Sequence, residues 1–207
     1  MVTSTPEGAV TGVADVLAVL DLAEAAGARL RVDGGWGVDA LLGEQTRPHG
    51  DLDVVVEKRF LGAFLGALEG AGFARVGEPG AVAWNFLVAR GGVVVDLHVV
   101  ELDAEGRGVL GPAERGVAYP AGSLRGRGVV GGREVDCVAA EWAVRFHDQY
   151  TGDADDRADV RALCARFDPN GERCGPRAKS EPVESHCGAA VRHFVVSHCC
   201  AAREQYR

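Results

Sequence analysis

The sequence predicts an α+β fold, with a mixed β-sheet flanked by helices and a C-terminal helical part. Three observations carry this prediction: helical and strand-like periodicities alternate in the N-terminal half, glycine turns separate them, and helical patterns return near the end. The chain has 207 residues, of which 47% are hydrophobic and 25% charged. This size and composition are typical of one globular domain with a small appendage.

The elements follow in order from local signals. Apolar residues at helical spacing predict a first helix that is capped by Thr11 and ends near Gly27. A short strand at 29–33 leads through Gly34-Gly35 to a short helix at 36–42, which Gly43 ends. The remaining pattern predicts a strand at 52–57, a helix at 60–68, strands at 82–89 and 92–100, a loop-rich stretch at 106–132, and helices at 139–150 and 155–167.

The net charge of −8 bears on the class of partner. An acidic chain disfavours nonspecific binding to nucleic acid or to anionic lipid, and it favours a cationic small molecule. No apolar stretch approaches the ~18 residues of a membrane span. The first residues carry no basic cluster before an apolar segment, so we expect a cytoplasmic protein.

The last part of the chain, residues 173–207, differs in composition from the rest. Residues 174–207 contain four of the six cysteines and three of the six histidines. Their spacing matches no known zinc site, and disulfides are rare in cytoplasmic proteins. We therefore expect a poorly ordered extension.

Two carboxylates stand at the start of the predicted strand at 52–57. Asp51 and Asp53 are two residues apart, so their side chains point to the same face with Cα atoms roughly 6.7 Å apart. Such a pair can hold Mg²⁺ together with substrate phosphates. On this motif alone, two solvated aspartates at an exposed strand start are the favoured alternative.

A third acid, Asp96, follows three valines on another predicted strand. A charge in such an apolar run is costly unless it is paired or binds metal. Asp96 would complete a metal site or accept a proton from an attacking hydroxyl. A salt bridge to an arginine at the sheet end is an equally good interpretation of this strand alone.

Gly34 and Gly35 lie between a strand and a helix, where backbone N–H groups can point at an anion. This arrangement predicts a phosphate site. It matches neither a Walker A loop nor the G-x-G-x-x-G pattern of dinucleotide-binding folds. Asp39, on the helix that follows, is predicted to pair with Arg47 as structural support.

These motifs together resemble a known family. Residues 32–56, VDGGWGVDALLGEQTRPHGDLDVVV, are similar to the antibiotic nucleotidyltransferases of the aminoglycoside 2″-adenylyltransferase and lincosamide nucleotidyltransferase group, in the DNA polymerase β-like superfamily. Trp84-Asn85-Phe86, Val95-Asp96-Leu97-His98 and residues 106–120, 137–147 and 157–160 also resemble it. The resemblance covers residues 14–167 and implies the nucleotidyltransferase fold.

The resemblance implies Mg²⁺-dependent transfer of AMP from ATP to a hydroxyl of an antibiotic, either a lincosamide or an aminoglycoside. Gly34 and Gly35 would hold the β and γ phosphates, and Arg47 and His49 would reach the triphosphate, although Arg47 could instead only bridge to Asp39. The residues implied to bind the metal, which is expected as two ions, are Asp51, Asp53 and Asp96, with Asp96 also the expected base. This chain has Gly35 where the family has serine, which removes one hydroxyl contact to phosphate.

The resemblance also implies where the acceptor binds. The expected contacts are Trp36, His98, Glu141 and Trp142, with Trp142 stacking on a sugar ring or, alternatively, belonging to the core. The expected division is a nucleotidyltransferase core at 1–110, a loop and helical part at 111–172 that closes the acceptor pocket, and the extension at 173–207. The chain could be a monomer or a homodimer.

A different class of function stays open beside the enzyme. A catalytically idle nucleotidyltransferase fold could serve as a nucleotide-binding regulator or a toxin–antitoxin partner. The presence of Asp51, Asp53 and Asp96 argues against this alternative, because a binding module has no use for three converging acids that repel one another.

Overall fold

The computed structural model of the protein describes residues 8–77, 81–148 and 154–168, so the extension at 173–207 lies outside the described residues. Within the described part the helices are α1 (Val13–Ala25), α2 (Gly34–Leu42), α3 (Lys58–Gly70), α4 (Ala140–Asp148) and α5 (Ala154–Phe167). The strands are β1 (Leu30–Val32), β2 (Leu52–Glu57), β3 (Ala74–Arg75), β4 (Asn85–Arg90), β5 (Val93–Leu102), β6 (Gly108–Leu110), β7 (Ala118–Tyr119), β8 (Gly126–Val130) and β9 (Arg133–Cys137).

All nine strands of the described part join one mixed sheet. The order is β3-β4-β5-β2-β1-β9-β8, and β6 pairs with β5 and β7. β2 runs parallel to β5, whereas β1 is antiparallel to β2 and β4 is antiparallel to β5. The predicted α+β fold with a mixed sheet and C-terminal helices is confirmed.

Two apolar clusters lie on opposite faces of the sheet. Val54 and Val56 of β2 join the cluster that contains residues of α1 and α3, while Val55 joins the cluster that contains residues of α2, α4 and α5. Because side chains alternate along a strand, Asp53 shares the face of Val55. The predicted carboxylate face is therefore the one covered by α2, α4 and α5.

Three local predictions differ from the structure. Gly12, not Thr11, is the N-cap of α1, because Thr11 is buried and its N–H donates to the carbonyl of His49. Gly34 and Gly35 form the first turn of α2 instead of preceding the helix. Much of the stretch at 106–132, predicted to be loop-rich, pairs as β6, β7 and β8, whose short glycine-containing sequences carry little strand signal.

Gly43 ends α2 as predicted, with a left-handed φ of 82°. No helix in the described ranges combines the length and the apolarity needed to cross a membrane.

Candidate active site

Asp53 and Asp96 meet in the middle of the sheet. They are direct neighbours in the parallel pairing of β2 with β5, and one ligand atom from each, with one from His98, lie within 4.8 Å of one another. All three side chains are buried, with exposed fractions of 8%, 4% and 2%. Alternation places His98 on the face of Asp96, since the two are separated by one residue of β5.

The electrostatics of Asp53 fit a cation site. Burial, reinforced by the carboxylates of Asp51 and Asp96, raises the pKa of Asp53 well above its usual value. Asp51 is therefore close enough to Asp53 for its charge to act on that carboxyl. Since crowded carboxylates destabilise the ionised form, a bound cation would relieve the repulsion, and oxygen ligands suit Mg²⁺.

His98 is buried among the carboxylates of Asp33, Asp53 and Asp96. Burial opposes its charge, but Asp96, Asp33 and Asp53 together raise the pKa of His98 well above its usual value. Its Nε2 lies 3.5 Å from Oδ2 of Asp96 and 3.9 Å from Oδ1 of Asp53. These carboxylates favour the protonated form of His98, whose charge offsets part of theirs.

Sequence reasoning missed the two residues that hold the other side of His98. The Tyr119 hydroxyl donates to Oδ2 of Asp33 at 2.7 Å, so it accepts from Nδ1–H of His98 at 2.6 Å. Burial raises the pKa of Asp33, but its interactions with His98 and Tyr119 prevail and lower it. Asp33 directly precedes the glycine turn, which was a usable signal, whereas Tyr119 lies in the stretch predicted to be loop-rich.

The glycine turn packs directly against the acidic cluster. Gly34 has a φ of +55°, and a Cβ there would lie 2.1 Å from Oδ2 of Asp53. A Cβ at Gly35 would lie 2.4 Å from Nδ1 of His49 and 2.9 Å from Nη2 of Arg47. The first turn of α2 is therefore surrounded by the predicted metal and phosphate ligands, at a helix N-terminus, which favours anions. We call this turn, Gly34 and Gly35, the phosphate cradle.

The predicted pairing of Asp39 with Arg47 is wrong. Oδ2 of Asp39 lies 2.5 Å from Nε2 of His49, and Oδ1 accepts hydrogen bonds from the backbone N–H and hydroxyl of Thr46. Arg47 instead pairs with Asp159 of α5, at 2.8 Å between Nη2 and Oδ2. A second carboxylate of α5, Oδ2 of Asp155, lies 3.8 Å from Nη1 of Arg47. The packing of α5 therefore gives Arg47 its partners, while Asp39 is taken by His49 and Thr46.

The four predicted acceptor contacts fall in different environments. Trp36 is 2% exposed and lies against His49, with ring centroids 4.8 Å apart, and His98 is buried. Both residues are thus as deeply buried as Asp96 and His49. Glu141 is exposed on α4, and the half-buried Trp142 stacks near Phe146, 6.1 Å between centroids.

Comparison with known proteins settles the family. Residues 15–163 match the family model for aminoglycoside-2''-adenylyltransferase, which covers most of the chain. The protein belongs to this family. This nucleotidyltransferase is 24% identical over 151 residues to a lincosamide resistance protein from Staphylococcus haemolyticus, a match that spans 70% of this chain and 89% of that protein.

Two solved structures are similar to this chain. The lincosamide antibiotic adenylyltransferase LnuA, bound to lincomycin, has 25% identity and a TM-score of 0.62 over 72% of this chain and 93% of that chain. ANT(2")-Ia in complex with adenylyl-2"-tobramycin has 23% identity and a TM-score of 0.59 over 76% and 90% of the two chains. The predicted nucleotidyltransferase fold and the predicted family are confirmed.

Proposed function

We propose that the enzyme inactivates an antibiotic by transferring AMP from ATP to one of its hydroxyl groups. The observation that carries this proposal is the close approach of the phosphate cradle to Asp53, which pairs with Asp96 of the neighbouring strand. A nucleotide whose phosphates rest on the cradle would present its reacting phosphate to these acids. Similar proteins are named as lincosamide and aminoglycoside enzymes, which supports an antibiotic acceptor.

Asp51, Asp53 and Asp96 would hold Mg²⁺, expected as two ions. Burial together with charge crowding raises the pKa of Asp53, and this supports the assignment because a bound cation would stabilise the ionised carboxylate. When bound, Mg²⁺ supplies charge neutralisation at the phosphate oxygens and at the attacking and leaving oxygens.

The chain's own residues divide the remaining work. The backbone N–H groups of the phosphate cradle, with Arg47 and His49, would bind the β and γ phosphates and hold the departing pyrophosphate. Asp96 would accept the proton of the attacking hydroxyl as the new O–P bond forms and the bond to pyrophosphate breaks. His98, whose Nε2 lies 3.5 Å from Oδ2 of Asp96, would help to keep this carboxylate in place.

The acceptor would approach along α4, where Glu141 is exposed and Trp142 is half-buried. Trp142 offers an apolar ring face for a sugar, and Glu141 offers a charge for an amine. The net charge of −8 favours a cationic aminoglycoside, whereas the V-D-G-G-W-G-V-D-A-L motif is closer to the lincosamide side. Both acceptor classes therefore belong in the test.

The deciding experiment incubates the protein with labelled ATP, Mg²⁺ and a panel of kanamycin-like and lincomycin-like compounds. We expect one compound class to gain the mass of AMP with release of pyrophosphate. Binding of ATP without modification of any compound would instead favour the idle nucleotide-binding protein. Transfer that persists in excess EDTA would contradict the metal assignment.

The role of Asp96 needs a separate test, since a base and a metal ligand predict different defects. If Asp96 accepts the proton, Asp96→Asn should bind Mg²⁺ and a non-hydrolysable ATP analogue normally while kcat falls by ~10²–10⁴-fold. If Asp96 chiefly binds metal, calorimetric titration should show that affinity falls together with turnover.

A further inference from the structure

We propose that Asp159, on the C-terminal helix α5, is a positioning residue for the nucleotide, because it holds Arg47 against the phosphate cradle. The inference rests on the proposed function, which assigns Arg47 to the triphosphate. It adds that α5, at the far end of the described chain, takes part in binding ATP through a carboxylate that never touches the substrate.

The contact between the two side chains has the geometry of a fork. Nη2 of Arg47 lies 2.8 Å from Oδ2 of Asp159, and Nε lies 3.4 Å from Oδ1. A planar guanidinium held at two points cannot rotate freely, unlike one held at a single point. Asp159 is 3% exposed and Arg47 is 22% exposed at its side chain, so the anchor is buried while the guanidinium reaches the surface.

The same guanidinium nitrogen faces the phosphate cradle. Nη2 is the atom of Arg47 that would lie 2.9 Å from a Cβ at Gly35. A guanidinium Nη carries two hydrogens. Since one is directed to Asp159, the other remains for an acceptor beside the cradle, and Asp159 sets the direction in which this N–H points.

His49 is arranged in the same way on the same glycine. Its Nδ1 would lie 2.4 Å from a Cβ at Gly35, and its Nε2 lies 2.5 Å from the 2% exposed Asp39. Each of the two nitrogen-bearing side chains at Gly35 is thus backed by its own buried carboxylate. Burying the carboxylates of Asp39 and Asp159 costs free energy. Their partners, His49 and Arg47, both face Gly35, so we infer that the two carboxylates serve to orient these side chains toward a phosphate.

A purely structural role is the competing explanation, because the Arg47–Asp159 pair also joins α5 to the loop before β2. The two roles differ in what depends on Arg47. If Asp159 is only structural, its replacement lowers the stability of the fold and leaves nucleotide affinity unchanged. If Asp159 positions Arg47, its replacement lowers nucleotide affinity, but only in a protein that still has Arg47.

The test is a double-mutant cycle on nucleotide affinity. The dissociation constant of a non-hydrolysable ATP analogue with Mg²⁺ is measured by calorimetry for the wild type, Asp159→Asn, Arg47→Met and the double variant, with thermal unfolding recorded for each. We expect Asp159→Asn to weaken binding about tenfold, in line with the strength of charge-assisted hydrogen bonds. In the Arg47→Met background the same substitution should change affinity less than about twofold.

Asp156→Asn is the matched control. It removes a carboxylate from the same helix, but Oδ1 of Asp156 lies 3.1 Å from Nδ1 of His147 and serves the contact between α4 and α5. This variant should bind the analogue like the wild type. An equal loss of affinity in Asp156→Asn and Asp159→Asn would overturn the inference, because it would assign the effect to α5 packing.

Arg47→Lys gives a second measurement that does not depend on folding of Asp159→Asn. Lysine keeps the ion pair with the buried carboxylate but cannot form a two-point fork. We expect its affinity to approach that of Arg47→Met, and wild-type affinity would overturn the inference. A wild type that does not bind the analogue at all would refute the proposed function itself, whereas normal binding by Asp159→Asn would refute only the positioning role.

Discussion

Asn85 of β4 donates a hydrogen bond from Nδ2 to Oδ1 of Asp96 at 2.7 Å. The amide is 1% exposed, and its own Oδ1 has no hydrogen-bond partner within the described part of the chain. Because Asn85 occupies one oxygen of Asp96, the other, Oδ2, lies on the side of His98 at 3.5 Å. The two neighbours therefore fix the rotation of the carboxylate that we assign to proton transfer.

We expect Asn85→Ala to reduce kcat by about 10- to 100-fold, since small displacements of a reacting group are expensive. The KM for ATP should change little, because Asn85 does not touch the phosphate cradle. Steady-state kinetics with ATP varied at saturating acceptor check this. Val88→Ala, another buried position of β4, controls for lost packing and should keep kcat. An equal loss of kcat in both variants would show that Asn85 contributes only to packing.

Asp51→Asn and Asp53→Asn should each abolish transfer, because a neutral amide cannot hold Mg²⁺ against the repulsion of a triphosphate. Near-wild-type turnover of either variant at saturating Mg²⁺ would refute the metal site. Asp103→Asn is a control on an exposed loop, where the carboxylate accepts from Nε of Arg107 at 2.7 Å, and it should keep full activity.

The same Asp53→Asn variant should be at least as stable as the wild type in metal-free buffer. The raised pKa of Asp53 means that the folded protein prefers the protonated carboxyl. Stability from this group is present below the unfolded value near 3.8 and is lost as pH rises through the folded value. The Tm of Asp53→Asn should therefore exceed that of the wild type by more as the pH rises above 4. A Tm of the variant well below that of the wild type at pH 7 would show that the ionised Asp53 does not destabilise the metal-free fold.

Alternation along strands predicts part of the acidic face. It places Asp53 on the opposite side of β2 from Val54, and the three valines before Asp96 predict a buried strand, which the structure has. The pairing of β2 with β5 in parallel, which sets Asp53 beside Asp96, could not be predicted from spacing, because register depends on the whole sheet. The family resemblance implied only that Asp51, Asp53 and Asp96 share one metal site.

The partner of Arg47 could not be predicted for a similar reason. Asp159 is 112 residues away in sequence, and only the packing of α5 against the loop before β2 brings it to Arg47. Nearness in sequence favours Asp39 as the partner, but in the structure the Asp39 carboxylate is occupied by His49 and Thr46. The role of Tyr119 could not be predicted, because β7 has only two residues, too few to show an alternation of apolar and polar side chains.

Gly34→Ala should abolish transfer, since its φ of +55° is unfavourable for alanine and the new Cβ would displace Asp53. Gly62→Ala, inside α3 with no atom within 4 Å of the new Cβ, is the matched control. It should keep full activity and gain about 0.5–1 kcal/mol of unfolding free energy. Turnover and thermal unfolding separate the two effects, and an active Gly34→Ala enzyme would show that the cradle tolerates a side chain.

Cys137 offers a test of the packing behind the site. Its thiol is free and fully buried on β9. Cys137 pairs with Val32 of the parallel strand β1, and Val32 directly precedes Asp33. Burial, with smaller effects of Asp33 and Asp136, raises the pKa of the Cys137 thiol to about 12. Since the thiolate is the nucleophile, the folded protein should resist alkylation at this position.

We expect iodoacetamide at pH 8.5 to leave Cys137 unmodified in the folded protein and to modify it after denaturation in guanidinium chloride, as read by peptide mass mapping. Addition of Mg²⁺ and ATP should not change this result, because protein packing and not a ligand covers the thiol. The raised pKa also fixes a pH dependence. The contribution of this group to stability is present below the unfolded thiol pKa and is lost as pH rises toward 12, because only the unfolded chain then releases the proton. Rapid native-state alkylation would mean that β1 and β9 separate readily, and with them the support beneath Asp33 and the phosphate cradle.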